Sequence, residues 1–391
     1  MKQALNGLRV IDLSQVLAGP YCTMVLGDMG ADVIKIEKFP NGDDTRSMGP
    51  YTKDESFMYM MVNRNKRGIC IDLKSDEGRE VLYELVKTAD VLVENFRPGI
   101  TTKLHIDYET LRNINPELIY CSISGYGQTG PYSQKGGFDI IAQGMSGLMD
   151  MTGEKGGKPV KVGIAIHDIA AAENAIRSIL MAYIHKLKTG EGQYIDISLV
   201  ESGLAWTVWE AASYFGNGEL PKRNGTAHRV SAPYQGYKTK DGLILIGAAN
   251  QKLWEKLCLN VIHTPEWITD PRYFTNSLRN DHVDELEEEL EEILIQQTSE
   301  YWLDLLERNG IPSGPIYSYD QTLNDPHIKE RKMILEYEHP EAGLMKTLGF
   351  PAKFSKTPGQ LTKPAPTLGQ HNEEILQESG LFSGKINYNR R

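Results

Sequence analysis

Cysteine is scarce and dispersed: Cys22, Cys70, Cys121 and Cys258 form neither a C-x-x-C pair nor a His/Cys metal-ligand spacing. Zinc modules, thioredoxin-like motifs and disulfide-stapled scaffolds are thereby excluded. Cys70 and Cys121 sit in apolar strand-like runs and are expected as small buried hydrophobes. No stretch approaches ~18 uninterrupted apolar residues, and Met1–Asn6 lacks the apolar core of a secretory leader. A cytoplasmic chain with no membrane partner is therefore expected. Positive charge is also short, since 42 Lys and Arg against 52 Asp and Glu leave a net charge of −10. Such a balance repels a phosphate backbone and argues against nucleic acid as a partner. Walker A, H-E-x-x-H and G-x-S-x-G sequences are absent, which removes local support for phosphate-loop, zincin and α/β-hydrolase chemistry.

What is present is enough chain, 391 residues with 40% apolar content, for a large domain and a smaller partner. Short β-branched runs alternate with amphipathic stretches through the first two hundred residues, the pattern of βαβ units around a parallel sheet. The strands are expected at Leu8–Leu13, Asp32–Ile36, Gly68–Leu73, Val91–Asn95, Leu118–Ser124 and Gln193–Leu199. Ser75 caps a helix whose stripe is Val81, Leu82, Leu85 and Val86, and a long helix over Ile169–Lys188 closes at Gly190. The fold class that follows is α/β, a doubly wound parallel sheet. Beyond about residue 215 the rhythm turns hairpin-like, with a strand at Leu243–Ala248 and an acidic helix over Asp281–Gln297. Residues 225–325 are read as a second, smaller α+β domain, and one helix is expected near the end of the chain, at Asn372–Glu378.

Gly125-Tyr126-Gly127-Gln128-Thr129-Gly130 is literally G-x-G-x-x-G after a strand. The helix and the acidic strand end of a dinucleotide fold do not follow, so the loop is expected to border a ligand without reading NAD(P). The run Gly163–Asp168 stops in an acid at the mouth of the long helix. Asp is a favoured N-cap, which alone accounts for Asp168; the same setting also suits a carboxylate nucleophile. Basic residues gather near strand ends, with Lys35, Lys38, Arg64, Lys66, Arg67, Arg97, Lys103 and Lys135 as candidates for a phosphate-bearing ligand.

The segment Leu8–Arg46 resembles the class III CoA-transferases of the CaiB/BaiF type. The likeness continues through Asn63–Arg67, Val93–Gly99, Gly125–Pro131 and Lys188–Gly192. The resemblance implies a Rossmann-like large domain, residues 1–200 joined by a returning segment 330–391, and an interlocked homodimer. It implies Asp168 as the catalytic residue. It further implies CoA contacts at Leu17, Ala18, Lys38, Ile71, Asp72, Leu73, Lys74, Asn95, Phe96, Arg97, Lys103, Lys135 and Phe138. No tightly bound cofactor or metal is implied; CoA thioesters and small carboxylic acids are the substrates.

Lys38 and Lys103 stand where the formyl-CoA branch has arginine, which keeps the charge and loses the planar stacking fork. Phe138 stands where the racemases of the family carry a histidine base, and phenylalanine moves no proton, so CoA transfer is favoured over 2-methylacyl-CoA epimerisation. A CoA-binding subunit without activity is the reading from outside enzymology. The glycine loop of the family appears as Ile246–Gln251, with Gly247 its sole glycine and its backbone amides as possible oxyanion donors. A free Asp titrates near about 3.9, so Asp168 is expected to be ionised and to need no base. Gly225–Gly242 resembles the branch that includes succinyl-CoA:glutarate CoA-transferases, which implies a short dicarboxylate acceptor. Its distal charge would be met by Arg46, His228 or Arg229.

Overall fold

The computed structural model describes residues 3–381. Two compact units emerge: one holds the chain up to Leu148, Lys161–Asn217 and the chain from His327, the other Met149–Val160 and Gly218–Pro326. The first unit is built on a six-stranded sheet. Its strands are β1 (Arg9–Asp12), β2 (Asp32–Lys38), β3 (Lys66–Ile71), β4 (Val91–Glu94), β5 (Ile119–Ser124) and β6 (Tyr194–Ser198). All neighbours pair in parallel, in the order β3-β2-β1-β4-β5-β6. This is the doubly wound Rossmann order, and its direction reverses between β1 and β4, where ligands of such sheets bind.

Strand alternation explains the two cores. Val10, Val33 and Val93 face one cluster, with helices α1 (Ala18–Asp28) and the long α4 (Ile166–Thr189); Ile11, Ile34 and Leu92 face the other, with α2 (Asp76–Val86). Ser75 caps α2 by accepting from Gly78 N–H at 3.0 Å, and α4 ends on Gly190 in the left-handed conformation. The outer edge of β3 is closed by the chain's end: His371 Nδ1 accepts from Gly68 N–H at 3.0 Å and Asn372 Oδ1 from Cys70 N–H at 2.9 Å. The helix Asn372–Glu378 then sinks Ile375 and Leu376 into the second core. All four cysteines are free and buried.

Several cations expected at the ligand edge are internal. Lys66 opens β3 at the opposite end of the sheet from its carboxyl edge, and its ammonium donates to Asp12 Oδ2 at 2.9 Å, Pro20 O at 2.9 Å and Asn63 Oδ1 at 2.8 Å. Lys35 reaches Asp43 at 3.0 Å and the Ser14 carbonyl; both lysines are fully buried. Arg64 is paired with Asp28 and Arg67 with Asp32, Glu374 and Glu378. Arg46, expected at a substrate carboxylate, grips Glu37 at 2.7 and 2.8 Å, donates to Pro366 O and stacks 3.6 Å over Tyr59. These groups are spent on the fold and do not converge on a phosphate.

The second unit has an antiparallel sheet of β7 (Tyr234–Lys238), β8 (Leu243–Gly247) and β9 (Ser313–Pro315), ordered β9-β8-β7. Two helices lie here: a short one, Asn276–Asp281, ahead of the expected acidic segment, and the acidic helix itself, Val283–Leu294, with His282 out of helical geometry between them. Leu286, Leu290 and Leu294 of the second helix are fully buried against Trp254 and Trp302. Among the described residues no helix is long and apolar enough to cross a membrane, and no His/Cys/Asp/Glu group is arranged to hold a metal.

Candidate active site

Asp168 is the third residue of α4 and not its cap; the cap position is Ala165, which supplies no side-chain bond. The capping carboxylate comes from another element. Asp139 opens helix α3 (Asp139–Met145), and its Oδ1 accepts from the His167 amide at 2.8 Å while Oδ2 accepts from Gln143 Nε2 at 2.7 Å. Gln143, fully buried, also accepts from Val162 N–H at 2.8 Å and donates to Ile164 O. The strand-like approach to α4 is thus stitched to α3 on both sides of the turn that carries Asp168.

His167 is fully buried, with Nε2 2.8 Å from Ser146 Oγ. Burial lowers its proton affinity despite Asp139, so the ring is neutral at physiological pH. Its space exists because residue 203 is glycine: a Cβ there would fall 2.2 Å from His167 Nε2. Asp168 has no side-chain hydrogen bond among the described residues. Burial, with the nearby charge of Asp139, pushes its carboxyl up to about 7. The expectation of a fully ionised acid at neutral pH is therefore corrected to one poised between its two forms.

From this turn the expected CoA contacts run along the carboxyl edge of the sheet. Phe138 caps α3 and is 69% exposed. Gly137 and Gly125 pack backbone on backbone, each Cα within 2.6 Å of where the other's Cβ would stand, which explains the first glycine of the G-x-G-x-x-G run. Gly136 leaves room for the exposed Arg97 guanidinium, 3.5 Å from its missing Cβ, and Lys135 lies 3.8 Å over the Tyr132 ring. Asn95 spans the switch point: it accepts from Gln15 N–H at 2.8 Å and donates to Gln15 O at 2.7 Å. That grip orients Val16, in the left-handed region at φ 70°, and then Leu17 and Ala18 at the start of α1.

Lys38 ends β2 beside Gln15 Oε1 at 3.3 Å and pairs with Asp44. Ile71 ends β3 and is buried; Asp72 accepts from the Lys74 amide at 2.9 Å, and Leu73 packs on the second core with Phe96. Lys103 is exposed at the end of the short helix Ile100–Lys103. Beneath the Asn95–Arg97 turn, Glu94 accepts from the Phe96 amide at 2.7 Å, and its burial pushes it up to about 7 against the bonds from Ser122 and Phe96.

His228, Arg229 and Gly247 lie in the second unit. The His228 ring meets Tyr234 edge-on at 5.1 Å, and Tyr234 also lies 3.4 Å from where a Gly247 Cβ would stand. The Gly247 and Ala248 amides donate to Pro312 O and Pro233 O, both at 2.8 Å, so these two are not free oxyanion donors. Asp139 and Gln143 escaped the sequence reading. The signal was Asp139's place directly after Phe138 in the run Gly136–Ile141.

Comparison with known proteins fits this geometry. The model of the family described as CoA-transferase family III matches residues 5–372. A succinyl-CoA:glutarate CoA-transferase of Homo sapiens is 41% identical, covering 96% of this chain and 85% of the relative. A succinyl-CoA:mesaconate CoA-transferase of Haloarcula hispanica is 40% identical over 97% of this chain and 98% of its own. The crystal structure of a CaiB/BaiF family protein from Brucella suis superposes with a TM-score of 0.87 at 38% identity, covering 97% of this chain and all of that one. With a parallel sheet whose carboxyl edge leads to a half-buried aspartate, and matched over nearly its whole length by these proteins, the chain belongs to the family III CoA-transferases.

Proposed function

We propose that the protein moves CoA from an acyl-CoA donor to a short dicarboxylate through a thioester on Asp168. The observation that carries the assignment is the Asp168 carboxyl itself, held on a fixed turn, without a side-chain hydrogen bond among the described residues and poised at about 7. In its ionised form an oxygen of Asp168 attacks the thioester carbonyl, the C–S bond breaks, and a mixed anhydride and CoA thiolate result. The thiolate attacks the Asp168 acyl carbon, releasing the donor as its carboxylate and leaving aspartyl-CoA. The acceptor carboxylate then attacks that carbon and expels the thiolate, which attacks the acceptor's acyl carbon to give the new thioester and free Asp168. No proton is consumed in the cycle, consistent with a site whose neighbouring imidazole, His167, is buried and bonded to Ser146.

Leu17, Ala18, Lys38, Ile71–Lys74, Asn95–Arg97, Lys103, Lys135 and Phe138 are assigned to CoA, with the exposed cations meeting its phosphates. The dicarboxylate preference is supported by the names of the two relatives, for glutarate and mesaconate. His228 and Arg229 are the assigned partners of the distal carboxylate; Arg46 is not, since Glu37 holds it. Phe138 offers no second base, which disfavours α-proton exchange.

Incubation with succinyl-CoA and no acceptor should yield a CoA adduct on the Asp168 peptide by mass spectrometry, discharged by glutarate. Absence of the adduct, or deuterium washed into the α-position of a 2-methylacyl-CoA, would overturn the assignment. Equal kcat/KM for butyrate and succinate would remove the dicarboxylate preference alone.

A further inference from the structure

In the second unit a guanidinium is buried with no acid beside it. Arg279, fully buried on the short helix Asn276–Asp281, donates from Nε to Ala232 O at 2.8 Å, from Nη1 to Tyr273 O at 2.9 Å and Gln251 Oε1 at 3.2 Å, and from Nη2 to Ala249 O at 3.0 Å. Its carbon lies 4.9 Å over the Trp254 ring. Among the described residues no carboxylate is within ion-pair distance of it, and although burial lowers its proton affinity to about 10 it stays charged at neutral pH. A buried cation without a counter-ion is costly unless every donor is met. Here four neutral oxygens from three separate segments meet it, and their positions are set by the planar fork.

The same helix holds the neighbouring backbone. Asn276 donates to Val230 O at 2.8 Å and accepts from Ala232 N–H at 3.1 Å, and Asn280 donates to Arg229 O at 3.1 Å. We propose that Arg279 is the positioning residue for acceptor recognition: one side chain ties the segment after His228 and Arg229 to the loop after Gly247. The proposal rests on the acceptor role given above to His228 and Arg229. Because the loop is pinned through Ala249 and Gln251, it acts as a fixed wall and not as a swinging cover.

Arg279→Lys and Arg279→Gln test it, since an ammonium or an amide cannot serve oxygens in that planar spread. With succinyl-CoA as donor, the KM for glutarate should rise about tenfold or more while the KM for succinyl-CoA stays within about threefold, the loss of roughly one charge-assisted hydrogen bond's effect. Amide exchange at Gly247 and Ala248 should accelerate in both variants. Donor and acceptor KM values rising together, or unchanged exchange at the two amides, would overturn the proposal. Should both variants fail to fold, Gln251→Ala removes one of the two bonds by which Arg279 holds the loop, and an unchanged glutarate KM with unchanged exchange at Gly247 and Ala248 there overturns it. If the wild-type protein transfers CoA to no carboxylate, the functional reading falls, while the exchange measurement still decides whether Arg279 pins the loop.

Discussion

Two acids in the first unit, Asp12 and Asp168, are both withdrawn from water and end at opposite extremes. At Asp12 burial alone would raise the proton affinity, yet the ammonium groups of Lys35 and Lys66 and the bonds from Ser14 and Lys66 drive it far below the ordinary carboxylate range. At Asp168 burial acts in the same direction and the charge that adds to it is another acid, Asp139, so the carboxyl rises to about 7. Burial raises both carboxyls; at Asp12 two cations overcome it, and at Asp168 an acid adds to it. Where cations answer the acid the result is an inert strut. Where an acid answers it, the group is left with chemistry to do.

Removing the reactive member should have the largest effect. Asp168→Asn and Asp168→Ala should each lower turnover by about 10³-fold or more with CoA affinity within about tenfold, measured by steady-state rates and CoA titration. A purely structural Asp168 would leave the Asn variant active. The strut is the counterpart: Lys66→Met leaves Asp12 and Asn63 facing a void of charge and should cost about 3–5 kcal/mol in denaturant unfolding. A loss below about 1 kcal/mol would mean that Lys35 alone suffices for Asp12.

The contrast can be narrowed by neutralising the neighbour. Asp139→Asn keeps an acceptor for the His167 amide but removes the charge, so the acid limb of kcat/KM, centred near 7 in the wild type, should move to lower pH, with more activity retained at pH 6. An unmoved limb would show that burial alone sets Asp168. The sign for stability is opposite at the two acids. Asp168, raised in the folded state, contributes stability below its unfolded value of about 3.9 that is lost as pH climbs through about 7. Asp12, depressed, contributes above about 3.9 and loses it as pH falls. Asp168→Asn should therefore gain stability over the wild type at pH 8 but not at pH 4. The smallest effect is expected at the rim, where Lys38→Ala should raise the acyl-CoA KM by roughly 1 kcal/mol, a few-fold, because Lys38 is exposed and shared with Asp44; dephospho-CoA thioesters should be less sensitive.

The difference between struts and sites also marks what the sequence could reveal. Short β-branched runs placed all six strands of the sheet within two residues of their observed limits, and Ser75 and Gly190 bounded their helices as their chemistry requires. Lys35 and Lys66 misled because periodicity tells which face a side chain takes but not which acid lies beneath it on another strand. Asp12 is 54 residues from Lys66, and no local pattern links them. Asp168 was visible as an acid at a helix mouth, while its poise was not, since that depends first on its burial and then on Asp139, 29 positions earlier by the numbering.

The seal on β3 carries a consequence for biosynthesis. Gly68 and His371 are separated by 303 positions, so the residue that closes this edge is made long after the strand it covers. At roughly 5–20 residues per second a ribosome needs about 15–60 s to bridge that interval. Throughout it, the backbone groups of Gly68 and Cys70 on their outer side have none of their eventual partners, and a nascent chain carries an open template for strand addition by its neighbours on the same message.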